Sequence, residues 1–578
     1  NKLATIIRDA EDVSVLSEEL PQYCTDWATL YHLSSIRGNI LRPFEQQLKG
    51  KVLEIGAGCG AISRFLGECG AQLLSLEGSP RRASIAASRT RGLENVTVLA
   101  ERFDDFKTDE QFDAITLIGV LEYASMFSKG TDPAYTMLRR IRELLKPHGH
   151  LFIAIENQLG LKYFAGAPED HLSIPMYGIE GRYTQGQPKT YGRNELERLI
   201  ERAGFTTTTF MSPLPDYKLP NSIITEAGYA SKTFDAAALS WQNVRKDPQL
   251  PKSTHFDLEK SWPVVIENDL GMALANSFLV AASNTKESPI DENILAYHYS
   301  TGRKSVYCKA SIFRATEQGI EVQYNRFADN ADADDNVNLR YVLPSSDHYV
   351  KGEVLSRDFL SLAARPDWRV EDFHPFMARY VSILLALSNE SSSGAMTCAT
   401  TRLPSHFIDA VPQNIIIDAV GSASLIDIEW QLTGGVELGH LLLRGLLLLM
   451  PSLNPQSHAA AQLTRQSFVS SLLESVAIQL GSDDLNRYVQ SEARFQQEVT
   501  GQPANLFLNW HPEEMIGEVQ ASVPTEMFAI LYFGTAEGDF VETAKSTQAL
   551  QHGHQSISFD LTHRSENQCL LRLDPVNA

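Results

Sequence analysis

The 578 residues carry 50 Lys and Arg against 71 Asp and Glu, a formal net charge of −21 at pH 7. That charge repels phosphate backbones, and without a basic stripe interleaved with aromatics it argues against a nucleic-acid partner. At roughly 150 residues per domain the chain should hold three or four cores, and no run approaches the ~20 apolar residues that cross a bilayer, so no transmembrane segment is expected.

From the amino end, the first residues hold no apolar signal core, and the chain starts on Asn rather than Met, as an excised piece of a longer protein would. Residues 51–55 are a short apolar run that ends at Gly56-Ala-Gly-Cys-Gly60, and a helical pattern follows over 61–69. Strand, tight turn and helix in that order bring bare backbone and the free N–H groups of a helix start up to a ligand. A second strand over 72–76 ends in Glu77, about twenty residues after the turn, where a carboxylate accepts ribose hydroxyls. A third strand, 96–99, leads to Glu101-Arg-Phe103, a position suited to an adenine ring. A fourth, 112–118, leads into Gly119-Val-Leu-Glu-Tyr123; a helix over 134–145, the turn Lys146-Pro-His-Gly149 and a fifth strand over 150–156 follow. The alternation predicts an α/β fold, a doubly wound parallel sheet with its ligand at the strand carboxyl ends. Taken alone, the glycine turn suits NAD equally well, or packs a helix on a sheet with no ligand at all.

Together these motifs resemble the class I methyltransferases, whose pattern runs E/D-x-G-x-G-x-G, an acidic residue, an FD strand, an "LEH"-like turn and an "LKPGG" turn. Here it reads Glu54-Ile-Gly-Ala-Gly-Cys-Gly60, Glu77, Phe112-Asp113, Leu121-Glu-Tyr123 and Leu145-Lys-Pro-His-Gly149. The departures, Tyr123 for His and His148 for Gly, lie outside the glycine turn. The resemblance implies a Rossmann-like sheet and S-adenosylmethionine as cofactor. Its binding residues would be Glu54, Gly56, Gly58, Gly60, Glu77, Glu101, Arg102, Phe103, Gly119 and Glu122. A nicotinamide enzyme would more often show GxGxxG, whereas here the third glycine is Gly60.

Three further segments, residues 30–37, 156–171 and 213–220, look like those of methyltransferases found with glycosyltransferases in O-antigen and other bacterial cell-surface polysaccharide pathways. The match covers about residues 20 to 285. It implies methyl transfer to a sugar, or to a phosphate on a sugar chain, with a glycan or lipid-linked polysaccharide as acceptor. A sugar hydroxyl is a poor nucleophile near neutral pH and benefits from a positioned base. His171, with Glu169 and Asp170 beside it, is the first choice for that base and His32 the second; a phosphate acceptor would need none. Asn157, Lys162 and Tyr163 are candidates for acceptor contacts, or else a cap and surface groups. No carboxylate and histidine cluster in this block demands a metal.

Beyond residue 285 the periodicity over 290–327 becomes that of strands and hairpins, and helices return from 349, as in a separate α+β domain. The acidic run 329–335 lacks the Gly and closing Glu of a calcium loop and reads as solvated. Asp409-x-x-Pro-x-Asn414, then a hairpin and Leu425-Ile-Asp-Ile-Glu429, resembles the catalytic and metal loops of aminoglycoside-phosphotransferase-like kinases, though the x positions here are Ala410, Val411 and Gln413. By that resemblance Asp409 receives the acceptor proton, while Asn414 and Asp427 hold magnesium on ATP. Phe407-Ile408 replace the usual His-Gly, no glycine-rich phosphate loop is visible, and the strand lysine is ambiguous, with Lys309 one candidate. A kinase fold kept as a scaffold therefore stands beside an active kinase. The apolar run 441–450, broken by Arg444 and Gly445, reads as a buried helix.

Residues 455–500 read as polar helices, and short strands at 529–533, 555–559 and 569–573 suggest a small β-sandwich. These strands look like the β-domain that precedes glycosyltransferase modules in polysaccharide-assembly proteins. The chain stops just after Asp574-Pro575, which raises the expectation of such a module beyond it. The expected domains are 1–285 (methyltransferase), 286–454 (kinase-like), 455–500 (helical linker) and 501–578 (β-sandwich). The six cysteines, Cys24, Cys59, Cys69, Cys308, Cys398 and Cys569, lie far apart without a CxxC and read as free thiols of a cytoplasmic protein, with peripheral attachment to the inner membrane an open alternative. Three functions remain open: a polysaccharide O-methyltransferase, a bifunctional kinase and methyltransferase that caps a glycan, and a methyltransferase whose rear domains are a glycan-binding platform.

Overall fold

Short apolar runs between Gly, Pro and Asn turns pair edge to edge into a twelve-stranded sheet. The computed structural model describes all residues except 1, 128–130, 245, 252–253, 329–337, 389–397, 455–456, 458, 461, 503–510, 517–526, 535–539, 551–569 and 577–578. The acidic run 329–335, the strand expected at 555–559 and Cys569 lie outside the described residues. Five strands, β1 (Lys51–Ile55), β2 (Gln72–Leu76), β3 (Val96–Leu99), β4 (Phe112–Ile118) and β5 (Leu145–Glu156), pair in parallel in the order β3-β2-β1-β4-β5. The order reverses between β1 and β4, and such a reversal opens a crevice at the strand carboxyl ends. Helices Ala61–Glu68, Pro80–Arg89 and Pro133–Leu144 make the crossovers. Their apolar faces bury Ile62, Phe65, Leu66, Ile85, Leu138 and Ile141.

The expectation of a wholly parallel sheet needs correction. Next to β5 runs β8 (Ser277–Ser283), antiparallel to it, and then β6 (Thr207–Leu214) and β7 (Ser222–Thr225) as an antiparallel pair. β6 and β7 are close enough in sequence for a hairpin, so they need no crossover helix. All seven residues of β8 are buried, which removes the polar alternation that would have announced a strand.

The boundary expected at residue 285 does not interrupt the sheet. β9 (Ile294–Ser300) pairs with β7, and β10 (Lys309–Thr316), β11 (Gly319–Arg326) and the short β13 (Ser346–His348) extend the same sheet antiparallel; β12 (Leu339–Tyr341) lies outside it. The chain divides instead into two compact units, not at 285, 454 and 500. One comprises Asn1–Leu360, His374–Pro451 and Leu473–Trp510, and the other Ser361–Phe373, Ser452–Leu472 and His511–Ala578.

Within the first unit, the run at 441–450 belongs to the helix Leu438–Leu449, nearly all of which is buried. No helix among the described residues is long and apolar enough to cross a membrane. This helix packs along Ser482–Thr500, where Arg444 and His440 both meet Glu492, the His440 Nε2 to carboxylate distance being 3.2 Å. Burial pushes the Glu492 carboxyl up, but the Arg444 guanidinium outweighs it and holds the group at about 2, against 4.5 when free. An acid depressed in the folded state stabilises above its free value, and that stability is lost as pH falls from about 4.5 toward 2. Glu492→Gln should therefore cost about 3 kcal/mol in urea denaturation at pH 7, by leaving Arg444 buried without its partner, and should flatten the loss of stability below pH 4.5.

In the second unit, Trp368, Phe373 and Phe468 pack edge to face with centroids 5.6–5.8 Å apart. The strands expected at 529–533 and 569–573 are β14 (Met527–Gly534) and β16 (Leu570–Val576), which flank each other antiparallel, with β15 (Phe540–Leu550) on the other side of β14. Among the described residues this is one sheet, so the second layer of a sandwich is not seen in them. The helical stretch expected over 455–500 contains Arg465–Glu474, which belongs to the second unit through Leu472, and Ser482–Thr500, which belongs to the first.

Candidate active site

Each glycine of the first turn is required for a different reason. Gly56, Gly58 and Gly60 have φ of +86°, +56° and +85°, a region that side chains with a Cβ rarely adopt. A Cβ on Gly56 would stand 2.5 Å from Val120 Cγ2, and one on Gly60 2.7 Å from the Ala86 backbone of the next helix. Gly58 has nothing within 4 Å and faces open space. At the end of β2, Glu77 is buried and holds this turn: one carboxylate oxygen accepts the Gly58 N–H at 2.9 Å and the other the Ser79 N–H at 2.9 Å, with Arg82 at 3.1 Å.

Around the turn lies a cavity of about 810 Å³. Gly56, Gly58, Glu77, Glu101, Arg102, Phe103, Gly119 and Glu122 line it, as do both candidate bases, His32 and His171. Glu54 and Gly60 do not. Glu54 is buried behind the turn and accepts the hydroxyls of Ser63 at 2.5 Å and Ser75 at 2.6 Å, so its carboxylate ties helix Ala61–Glu68 and β2 to β1 instead of meeting the ligand. Gly60 lets helix Pro80–Arg89 pack against the turn.

The cavity is also lined by groups that sequence reasoning left unassigned: Glu156, Tyr217 and Lys218, together with Trp27, Tyr31 and Met126. Glu156 closes β5, and Tyr217-Lys218 follow β6, so separate strands bring them together. The Lys218 ammonium lies 2.7 Å from Glu156, 2.9 Å from Asp170 and 3.5 Å from Asp216, and the Tyr217 hydroxyl donates to Glu156 at 3.3 Å. Burial alone would push the Glu156 carboxyl up, but Lys218 and His171 hold it well below the usual carboxylate range. Glu122, fully buried beside Glu156, is pushed up to about 8 by burial and then by that neighbour's charge.

His171 does not pair with its sequence neighbours. Glu169 accepts the N–H groups of His171 and Leu172, shaping the loop, and Asp170 turns to Lys162, Tyr163 and Lys218. The imidazole lies instead between the Tyr123 hydroxyl, 3.0 Å from Nδ1, and Glu156, 3.5 Å from Nε2. Burial opposes its charge, but Glu156 prevails and raises it to about 9. His32 is lowered to about 4 by burial and then by Arg37, Arg82 and Arg89. The other acceptor candidates are interior supports. Asn157 donates to the carbonyls of Ala273 and Ala275 at 2.8 and 2.7 Å. Lys162 is buried within 4.0 Å of Asp170, Asp216 and Asp247. Tyr163 donates to Asp170.

A family model described as "Methyltransferase domain" matches residues 31–209, the stretch that builds the turn and most of the cavity. The chain contains an S-adenosylmethionine-dependent methyltransferase domain. The chain is 28% identical over 163 residues to the demethylmenaquinone methyltransferase of Tropheryma whipplei, covering 28% of this chain and 68% of that one. It is 30% identical over 113 residues to the ubiquinone biosynthesis O-methyltransferase of Xanthomonas oryzae pv. oryzae, covering 19% of this chain and 44% of that one. It therefore spans about two thirds of the first relative and less than half of the second. Among solved structures, the Haemonchus contortus phospholethanolamine N-methyltransferase 2, in complex with phosphomonomethylethanolamine and S-adenosylhomocysteine, is 17% identical, with a TM-score of 0.26 over 43% of this chain and 52% of that one. The methyltransferase domain's cavity has room for the cofactor and is lined by the Glu77 carboxylate, the bare Gly58 backbone and the buried carboxylates Glu122 and Glu156.

Among the described residues the rear candidates are tied into separate contacts. Asp409 is buried and accepts the N–H groups of Glu429 and Trp430 at 2.8 and 2.7 Å, and burial, then Glu429, raises it to about 7. Asn414 donates to the Asp409 carbonyl at 3.0 Å. Lys309, one candidate for the strand lysine, is buried 2.5 Å from Asp427 and 2.9 Å from Glu429, which also meets Arg303 at 2.5 Å. Asp427 and Lys309 border a cavity of about 40 Å³ that Asp409 and Asn414 do not line. A nucleotide needs several hundred Å³. The cations and carboxylates of this cluster neutralise one another where magnesium and ATP were expected.

Proposed function

We propose that the domain transfers a methyl group from S-adenosylmethionine to a hydroxyl of a polar, sugar-like acceptor. One observation carries this reading: the cavity that holds the glycine turn is also lined by Glu122, Tyr123, Glu156, His171 and Lys218, hydrogen-bonding groups brought together from separate segments. When bound, the cofactor supplies a methyl group on a sulfonium, which needs no metal or redox partner to leave. Glu77, Gly58 and the Glu101-Arg102-Phe103 corner are placed to orient it. The Tyr217 hydroxyl stands 2.8 Å from where a Gly119 Cβ would be, so it borders the cavity beside Gly119. The resemblance of segments 30–37, 156–171 and 213–220 to polysaccharide methyltransferases supports a sugar.

A phenolic acceptor is the second reading. The relative's name, ubiquinone biosynthesis O-methyltransferase, supports it, as do Trp27 and Met126, large side chains 38% and 51% exposed on the cavity lining. The test is release of S-adenosylhomocysteine with two acceptor panels, mono- and oligosaccharides against dihydroxybenzenes. Turnover on the saccharides alone is the expected result; turnover on the phenols alone replaces the first reading with the second. Failure on both, with the cofactor bound, removes both.

A further inference from the structure

Glu122 follows β4, Glu156 closes β5 and His171 lies in the loop beyond. The fold nevertheless brings one ligand atom of each to within 4.8 Å of the others. Both oxygens of Glu122 are buried with no hydrogen-bond partner, and Glu156 Oε2 and His171 Nε2, also buried, have only each other, at 3.5 Å. Glu122 is 1% exposed and Glu156 fully buried. Buried polar atoms are nearly always paired, and two unpaired Glu122 oxygens beside a long His171–Glu156 contact need a cause.

The other atoms of the cluster are held from outside. His171 Nδ1 meets the Tyr123 hydroxyl at 3.0 Å, and Glu156 Oε1 takes Lys218 at 2.7 Å and Tyr217 at 3.3 Å. Outer hydrogen bonds of this kind fix a ligating imidazole and carboxylate while leaving their remaining atoms free for an ion. The Lys218 charge is itself balanced by Asp170 and Asp216.

We infer that Glu122, Glu156 and His171 hold a divalent transition-metal cation, of the Mn²⁺ or Zn²⁺ type, on the lining of the cavity. Ligand atoms about 2.0–2.2 Å from one ion lie roughly 3–4.4 Å from each other. The 3.5 Å between His171 Nε2 and Glu156 Oε2 falls in that range, and the cluster limit of 4.8 Å closes to it with small side-chain rotations. One imidazole nitrogen with two carboxylates suits these ions better than Mg²⁺ or Ca²⁺, which prefer oxygen alone. Two carboxylates also balance the charge of the ion in a buried place. The inference rests on the proposed methyl transfer for its role: three protein ligands leave a cavity-facing position for an oxygen of the acceptor. The rival account is a protonated Glu122 beside a charged His171–Glu156 pair, which leaves both Glu122 oxygens without a partner.

The experiment is titration of Mn²⁺ into the full chain, stripped of metal with a chelator and followed by electron paramagnetic resonance. The expected result is a site that weakens at least about 30-fold in Glu122→Gln and stays within about threefold in Asp427→Asn, which alters only the rear cluster. In pulsed experiments the bound ion should show nitrogen modulation that disappears in His171→Asn, a readout that does not depend on Glu122→Gln folding. No Mn²⁺ binding to the wild type, unchanged binding in Glu122→Gln, or loss in Asp427→Asn instead overturns the inference. S-adenosylhomocysteine titrated into the same metal-free wild type separates two failures. Binding of it without Mn²⁺ removes only the cation, whereas binding of neither removes the methyltransferase reading as well.

Discussion

Glu77→Ala should weaken S-adenosylhomocysteine binding by at least about 100-fold, or roughly 2.7 kcal/mol. Two losses combine. Its carboxylate holds the Gly58 and Ser79 N–H groups at 2.9 Å each, so the turn between β1 and helix Ala61–Glu68 loses its anchor. The same oxygens face the cavity where ribose hydroxyls are expected, and hydrogen bonds to a charged partner are worth about 1.5–3 kcal/mol each. Isothermal titration measures this directly. Glu54→Gln is the informative contrast, because Glu54 bonds Ser63 and Ser75 behind the turn. It should lower the melting temperature yet leave affinity within a few-fold. Equal losses of affinity in both variants would mean that the turn as a whole, and not the Glu77 oxygens, sets cofactor binding.

Lys162→Met should destabilise the first unit by about 3–5 kcal/mol, the scale of a buried charge cluster that loses one partner. Lys162 is 2% exposed and stands 2.9 Å from Asp216, 3.3 Å from Asp170 and 4.0 Å from Asp247. Burial disfavours its charge, but Asp170 and Asp216 more than restore it, so the lysine stays protonated. Removing it leaves three carboxylates facing one another in the interior. Urea denaturation at pH 7 reads the loss, and part of it should return at pH 4, where protonation relieves the repulsion. A change under 1 kcal/mol would mean that the lysine is solvated, as a surface group would be.

The parts of this site that could be read along the chain depend on short-range geometry. The strand, glycine turn and helix at 51–68, with Glu77 at the next strand end, announce themselves because φ restrictions, apolar runs and helix starts act over a few residues. Glu101, Arg102, Phe103, Gly119 and Glu122 follow, since in a parallel sheet every strand's carboxyl end faces the same crevice. Even so, local pattern misplaced Glu54, whose motif position is right but whose side chain points behind the turn.

Contacts between distant segments were beyond that reading. His171 stands beside Glu169 and Asp170 in the sequence, but adjacent loop side chains diverge, and its partners come from a turn and a strand end. Lys162 looked like a surface lysine because nothing local shows that three aspartates from three loops enclose it. β8 reads as an undivided apolar segment because both faces are covered, so its direction was hidden, and with it the mixed sheet that runs past residue 285. Asp409, Asn414 and Asp427 have kinase-like spacing, yet the backbone turns Asp409 toward the Glu429 and Trp430 amides and pairs Asp427 with Lys309.

Sequence by itself therefore determined the cofactor half of this protein, a parallel α/β crevice with a glycine turn and an acidic residue, because backbone conformation and strand order dictate it. Only the tertiary structure decided the acceptor half. The charge state and partners of Glu122, Glu156, His171 and Lys218 depend on burial and on distances across separate strands, which no local pattern encodes.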